Sequence, residues 1–123
     1  MSERIIEPIR PTAVMAMSTD DRTYYTHLED NPSGNSFFER LRIDAVDTQF
    51  IKDSDMMIAA LPFSLPFVPK ESVVSIGDVV LISNDRIGIC LKNTAGSYVK
   101  IGRIRDVPDV DRLDVNLSLE WSE

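Results

Sequence analysis

The chain has 123 residues, and 20 acidic against 13 basic side chains give it a formal net charge of −7. Its length predicts a single domain over residues 1–123 with its own hydrophobic core, to which residues 1–12 add a flexible N-terminal extension. The negative charge argues against nucleic acid as a partner, and the lack of an apolar run of ~18 residues argues against a membrane span, so we expect a cytoplasmic protein.

The N-terminal half is predicted to contain a hairpin, a short helix and a further strand. The strands cover residues 13–18, 23–28 and 43–51, and the helix covers residues 33–41. A pair of aspartates at residues 20 and 21 is the turn signal between the first two strands. Asn31 and Pro32 supply an N-cap and a first-turn proline, and they predict where the helix begins.

Residues 61–69 read Leu-Pro-Phe-Ser-Leu-Pro-Phe-Val-Pro and place a proline at every third or fourth position. Each proline lacks a backbone donor, so this stretch is excluded as a central strand and is predicted to be extended and rigid. We call it the proline segment. We expect Phe63, Leu65 and Phe67 to pack over a barrel opening, where the segment acts as a lid or a plug.

The second half of the chain is predicted to be rich in strands. Its clearest hairpin joins residues 79–83 to residues 86–92 through a two-residue polar turn. Gly96 is predicted to turn the chain into another strand at residues 98–104. Apolar and polar residues alternate over residues 115–121, which is typical of a half-buried strand.

These short strands favour a mainly β fold. A closed antiparallel β-barrel of about eight strands, with one or two short helices, leaves no strand edge exposed. We therefore predict a closed barrel rather than an open sheet.

Cysteine and histidine are too few for most metal or nucleophile chemistry. Cys90 is the single cysteine and lies in a predicted strand, where a small buried hydrophobe is expected. His27 is the single histidine, and we expect it to be a structural or surface residue. Because these two residues cannot form a zinc cluster and the glycines are dispersed, we expect neither a metal nor a cofactor.

Four short motifs follow one another along the chain. They are Asp30-Asn31-Pro32 before the helix, the Leu-Pro repeat of residues 61–66, Gly77-Asp78 at the start of the hairpin, and Val99-x-Ile101-Gly102-Arg103-Ile104. Together they resemble the bacterial and archaeal cyclophilin-like proteins. The resemblance implies an eight-stranded barrel with capping helices, in small proteins whose activity is mostly unassigned. Relatives commonly carry an aromatic, proline-rich turn where this chain has residues 81–85, which implies a different ligand or a lost one.

Peptidyl-prolyl isomerisation is the enzyme activity that the resemblance raises. The reaction needs an arginine that donates to the prolyl nitrogen, beside an apolar floor for the proline ring. The candidate parts are Arg42, Arg86, Phe50, Met56, Met57, Phe63, Gln49 and His27. Their spacing does not reproduce the Phe-His-Arg and Phe-Met-x-Gln-x-Gly motifs of the isomerases. We therefore assign no catalytic residue and expect no isomerase activity.

The leading interpretation is a binding module. It would hold a small molecule or an extended peptide in a cleft between the proline segment and the hairpin of residues 79–91, since pockets often lie at barrel mouths. The candidate cleft residues are Met57, Phe63, Phe67, Arg86 and Tyr98.

The alternative is a protein-interaction module that forms a homo-oligomer or binds a basic partner. Six acidic residues after residue 105 face only Arg112, and they are Asp106, Asp109, Asp111, Asp114, Glu120 and Glu123. Such a cluster is either a solvated face, a docking surface or a weak cation site. In this interpretation the acidic C-terminal strand or the proline segment forms the contact.

Overall fold

The computed structural model describes residues 13–108 and 110–121. This part of the chain forms one helix and nine strands. They are β1 (Ala13–Ser18), β2 (Thr23–His27), α1 (Pro32–Ile43), β3 (Val46–Asp53), β4 (Met56–Ala60), β5 (Lys70–Val74), β6 (Asp78–Ser83), β7 (Arg86–Cys90), β8 (Thr94–Arg103) and β9 (Arg112–Trp121). The expected N-terminal extension, residues 1–12, lies outside the described residues.

The nine strands form one antiparallel sheet in the order β2-β1-β9-β3-β4-β7-β6-β8-β5. The sheet curls into a half-barrel that stays open, because β2 and β5 are edge strands that do not pair with each other. The prediction of a mainly β, antiparallel fold is confirmed, with nine strands in place of about eight, but the predicted closure of the barrel is wrong. Where β2 comes near β8, the Glu29 amide donates to the Ile101 carbonyl at 2.9 Å, but no strand pairing follows.

The additional strands are β4 and β5, and both lack the alternating pattern of a half-buried strand. β4 is a five-residue run of Met-Met-Ile-Ala-Ala, which is apolar on both faces. β5 directly follows the proline segment, and Val74 is the one of its five residues that is fully buried. Periodicity alone does not distinguish such short runs from loops.

Gly96 does not turn the chain, as predicted, but lies inside β8 opposite Ser72 of β5. A Cβ atom at this position would lie 2.8 Å from the ring of Tyr98, two residues along the same strand. The glycine therefore marks a place where an aromatic ring covers the backbone, which is a common role of glycine within strands.

The main core lies between the concave face of the sheet and α1. Phe37, Phe38 and Leu41 of the helix pack there with Phe50, Met57 and other apolar residues of the sheet. Helical spacing places these three residues on one face of α1, as the sequence predicts. No helix in the described part of the chain has the length and apolar character needed to cross a membrane.

A smaller core cluster lies on the other face of the sheet and contains the single cysteine. Cys90 packs there with Met56, Val74 and Val80, and its side chain is inaccessible to solvent. Burial raises the pKa of the Cys90 thiol to about 11, and the negative charge of Asp78 adds to that rise. The expectation of a buried hydrophobe at Cys90 is confirmed.

We expect Cys90 to resist thiol reagents while the protein is folded. At pH 8 a thiol with a pKa of about 11 is thiolate in roughly one molecule in a thousand, and the thiolate is the reactive form. Labelling with iodoacetamide, followed by mass spectrometry, should give slow modification in buffer and fast modification in concentrated guanidinium. Rapid labelling of the native protein would contradict the burial of this side chain.

Candidate functional site

A groove of about 430 Å³ opens where α1 begins. It is lined by residues 29, 31–33, 66, 68, 70, 72 and 98–100, which belong to the start of α1, the proline segment, β5 and β8. We call it the proline groove. Its walls come from stretches that are far apart in sequence, so the contacts between those stretches determine its shape.

Asn31 joins the start of α1 to β8. Its extended backbone and side chain form the N-cap, and its Oδ1 accepts a hydrogen bond from the Gly34 amide at 2.7 Å. The Nδ2 of the same side chain donates to the Lys100 carbonyl at 2.9 Å. A Cβ atom on Gly34 would overlap the carbonyl oxygen of Glu29, so glycine is needed for the chain to enter the helix at this angle.

The proline segment forms the wall of the groove opposite β8, and contacts on two sides hold it in place. Ser33 of α1 donates through its hydroxyl to the carbonyl of Pro66. Phe63 packs edge-to-face on Phe37 with ring centroids 6.0 Å apart, and Arg40 lies over the Phe63 ring at 5.0 Å. These contacts fix the segment against the helix.

The turn between β6 and β7 holds the segment from the other side. The Leu65 amide donates to the Asn84 carbonyl at 2.7 Å, and the Leu61 amide donates to the Asp85 carbonyl at 2.8 Å. The Asn84 side chain also donates to Ser64 at 3.3 Å. The polar turn between β6 and β7 therefore supports the wall of the proline groove.

A second groove, of about 740 Å³, runs along β2 beside residues 103–106. We call it the seam groove. Arg22, Arg103 and Arg105 lie in its lining together with Tyr25 and His27. The expected surface position of His27 is confirmed, since the residue is exposed on β2.

The helix, the sheet and their connections can now be compared with known proteins. The sequence model of the cyclophilin-like family matches residues 17–122. The chain belongs to the cyclophilin-like family. The match begins within β1 and includes α1 and every later strand, so the resemblance of the four motifs is confirmed. No curated protein and no solved structure matches the chain.

The five cleft residues predicted for this cyclophilin-like protein lie in different environments. Tyr98 is half-buried and lines the proline groove. Phe63 and Phe67 are half-buried in the proline segment, where they pack against the main core. Met57 is fully buried in that core, and Arg86 is exposed at the start of β7. Their assembly into one ligand site stays a prediction, and the proline groove contains Tyr98 from this set.

The polar residues of the proline groove were not predicted from the sequence. Lys70 and Ser72 come from β5, which was not predicted, and Ser33 was treated as an ordinary helix residue. The pair Asn31 and Pro32 was a usable signal, because an N-cap marks the end of a helix at which the first backbone N–H groups have no partner within the helix.

Three of the four apolar residues considered for an isomerase floor lie inside the two cores. Phe50 and Met57 have no exposed surface, and Met56 is buried in the smaller cluster. The fourth, Phe63, is half-buried, and Arg40 lies over its ring. Arg42 lies on α1, where it pairs with Glu39 at 3.1 Å. The structure therefore does not place the three core residues on a common surface with an arginine.

Two of the six acidic C-terminal residues form separate polar contacts, and Asp109 and Glu123 lie outside the described residues. Asp106 pairs with Arg22 at 3.4 Å, and Asp114 accepts a hydrogen bond from Gln49 at 2.8 Å. Within residues 13–108 and 110–121, no group of three or more histidine, cysteine, aspartate or glutamate side chains is arranged to hold a metal ion.

Proposed function

We propose that this cyclophilin-like protein is a binding module that holds a small, largely apolar ligand in the proline groove. The observation that carries the proposal is a groove of about 430 Å³ whose walls are hydrogen-bonded to one another through Asn31 and Ser33. Ligand pockets typically have volumes of roughly 300–1,000 Å³ and are largely formed before the ligand binds. A cytoplasmic location is part of the proposal, because the one cysteine is a free thiol, as is usual in a reducing compartment.

The lining of the groove indicates the chemistry of the ligand. Pro66, Val68, Tyr98 and Val99 provide apolar surface, on which a ring or a short aliphatic body can pack. Lys70 is exposed at the rim and has no ion pair among the residues that the structure describes. We therefore propose a small carboxylic acid whose apolar body lies on Tyr98 and whose carboxylate faces Lys70. An extended peptide that ends in such a group is the alternative ligand.

The test is a thermal-shift and calorimetry screen of small apolar carboxylic acids against their uncharged amides. A ligand at 100 times its dissociation constant should stabilise the protein by ~2.7 kcal/mol. Val68→Glu should weaken binding of the acids about tenfold, because it places a negative charge on the rim at a side chain that is 79% exposed.

Val73→Glu is the matched control, since Val73 is also 79% exposed but does not line the proline groove. It should leave the affinity unchanged, which separates a local effect from a change in total charge. If none of the acids stabilises the protein, or if both variants weaken binding equally, the proline groove is not the ligand site.

We expect no acceleration of proline isomerisation by this protein. The reaction requires an exposed apolar floor beside an arginine, whereas Phe50 and Met57 have no exposed surface. The measurement is the isomerisation rate of a chromogenic proline peptide at micromolar protein. A rate well above the uncatalysed one that is lost in Arg86→Ala would contradict this expectation.

Protein interaction is the second candidate function, and the open sheet favours it. In residues 13–108 and 110–121, β2 and β5 are the unpaired edges of the sheet, and β5 exposes Val73. Unpaired edges of this kind can pair with another chain. Light scattering after size-exclusion chromatography tests self-association through β5, and a strict monomer that Val73→Lys does not change would exclude it.

A further inference from the structure

A seam separates β2 from the chain that leaves β8, and the two stretches run antiparallel along it. They are joined at one end by the hydrogen bond from the Glu29 amide to the Ile101 carbonyl, at 2.9 Å. They are joined at the other end by the ion pair of Arg22 with Asp106, at 3.4 Å. The seam groove lies along this boundary, and among the described residues β2 has no strand partner on that side.

The backbone of β2 directs hydrogen-bonding groups toward the seam. The Glu29 amide points at β8, and the His27 carbonyl does the same, since a Cβ atom on Gly102 would lie 3.0 Å from that oxygen. In an antiparallel strand every second residue directs its amide and carbonyl to the same side. The backbone groups of Tyr25 therefore also point toward the seam, where the described part of the chain offers no strand to pair with.

The charge of the seam groove is opposite to that of the chain. Its lining contains three arginines against two acidic residues, whereas the whole chain has 13 basic and 20 acidic residues. Arg22 pairs with Asp106 and Arg103 pairs with Asp78, but Arg105 has no ion pair among the described residues. Tyr25 adds an aromatic side chain that is 53% exposed. An acidic partner therefore finds opposite charge in this groove, although the chain as a whole is acidic.

We propose that an extended acidic peptide of a partner protein binds in the seam groove as an added strand on β2. Its backbone pairs with Tyr25, and its acidic side chains face Arg105 and Arg22. β2 has five residues, which corresponds to a strand length of roughly 17 Å. Backbone pairing provides affinity in this mode, while side-chain charge selects the peptide. The two grooves share Glu29 in their linings but have different ligands and different test variants, so failure of this proposal leaves the proposed function untouched.

The test uses the full-length protein and a capped eight-residue peptide of alternating aspartate and valine, labelled with fluorescein. Fluorescence anisotropy should show binding that weakens with salt, while the lysine–valine counterpart should bind at least about tenfold less well. Arg105→Glu should weaken binding about fivefold to tenfold. Arg112→Glu is the matched control, because Arg112 is exposed but does not line this groove, and the affinity of this variant for the peptide should stay unchanged.

A second arm separates strand addition from simple charge attraction. A version of the peptide with N-methylated valines keeps its charge but loses donors, and it should bind at least about tenfold less well. Hydrogen exchange should show that the unmodified peptide protects the amide of Tyr25. The proposal is overturned if the methylated peptide or the lysine peptide binds as tightly as the unmodified acidic peptide. It is also overturned if the acidic peptide leaves hydrogen exchange at the Tyr25 amide unchanged. A Tyr25 amide that is already protected in the free protein, whether by another segment of this chain or by a second copy, also overturns it.

Discussion

Phe37→Ala is expected to lower the free energy of unfolding by about 3–5 kcal/mol. Phe37 has no exposed surface and lies in the main core, on the face of α1 that covers the sheet. Its ring also contacts Phe63 edge-to-face, so the substitution removes support from the proline segment as well as from the core. The surrounding strands are paired on both sides and cannot easily close the cavity.

The measurement is urea denaturation followed by tryptophan fluorescence and circular dichroism. Phe63→Ala is the matched control, because it removes the same ring from a half-buried position, and its cost should be only about 1–2 kcal/mol. The double variant should cost less than the sum of the single variants by about 0.5–1.5 kcal/mol, which is the contribution of the ring pair. If Phe37→Ala and Phe63→Ala lower the free energy of unfolding by equal amounts, α1 does not cover the main core through Phe37.

The sequence was most informative where local chemistry and burial agree. The N-cap and the first-turn proline correctly predicted the start of α1, and alternation correctly predicted β9. The proline segment is also free of strand structure, as predicted, because each of its three prolines lacks a backbone donor.

Closure of the barrel could not be predicted, since it depends on one contact between distant residues. A repeating pattern of short strands fits an open and a closed sheet equally well. The two stretches that would close the barrel meet at Glu29 and Ile101, which are 72 positions apart, and then fail to pair. The seam groove is a consequence of that open boundary, and so no local motif predicted it.

The proline groove was missed for a related reason. The proline segment was expected to form one wall of a cleft, with the hairpin of β6 and β7 as the opposite wall. In the structure the turn of that hairpin bonds to the proline segment through Asn84, while β5 and β8 form the opposite wall. The polar turn between β6 and β7 thus supports the proline segment and does not line the proline groove.

Gly102→Ala is expected to lower the free energy of unfolding by about 1–3 kcal/mol. The new Cβ atom would overlap Cγ2 of Thr26 and would lie 3.0 Å from the carbonyl oxygen of His27. Thr26 is fully buried and β-branched, so its side chain has few other rotamers, and β2 must instead move away from β8. The lower entropy of an unfolded chain with alanine offsets part of this loss, by roughly 0.4–1 kcal/mol.

Thr26→Ser removes the atom that the new Cβ would overlap, and it is therefore the decisive second variant. In the Thr26→Ser background, Gly102→Ala should cost less than in the wild-type background by about 1 kcal/mol or more. Gly96→Ala is the matched control in the same strand, because its Cβ would meet the end of the Tyr98 ring, which can rotate away. Denaturation curves of the variants decide the question. An equal cost of Gly102→Ala in both backgrounds would mean that Thr26 does not set the distance between β2 and β8, and that the width of the seam is determined elsewhere.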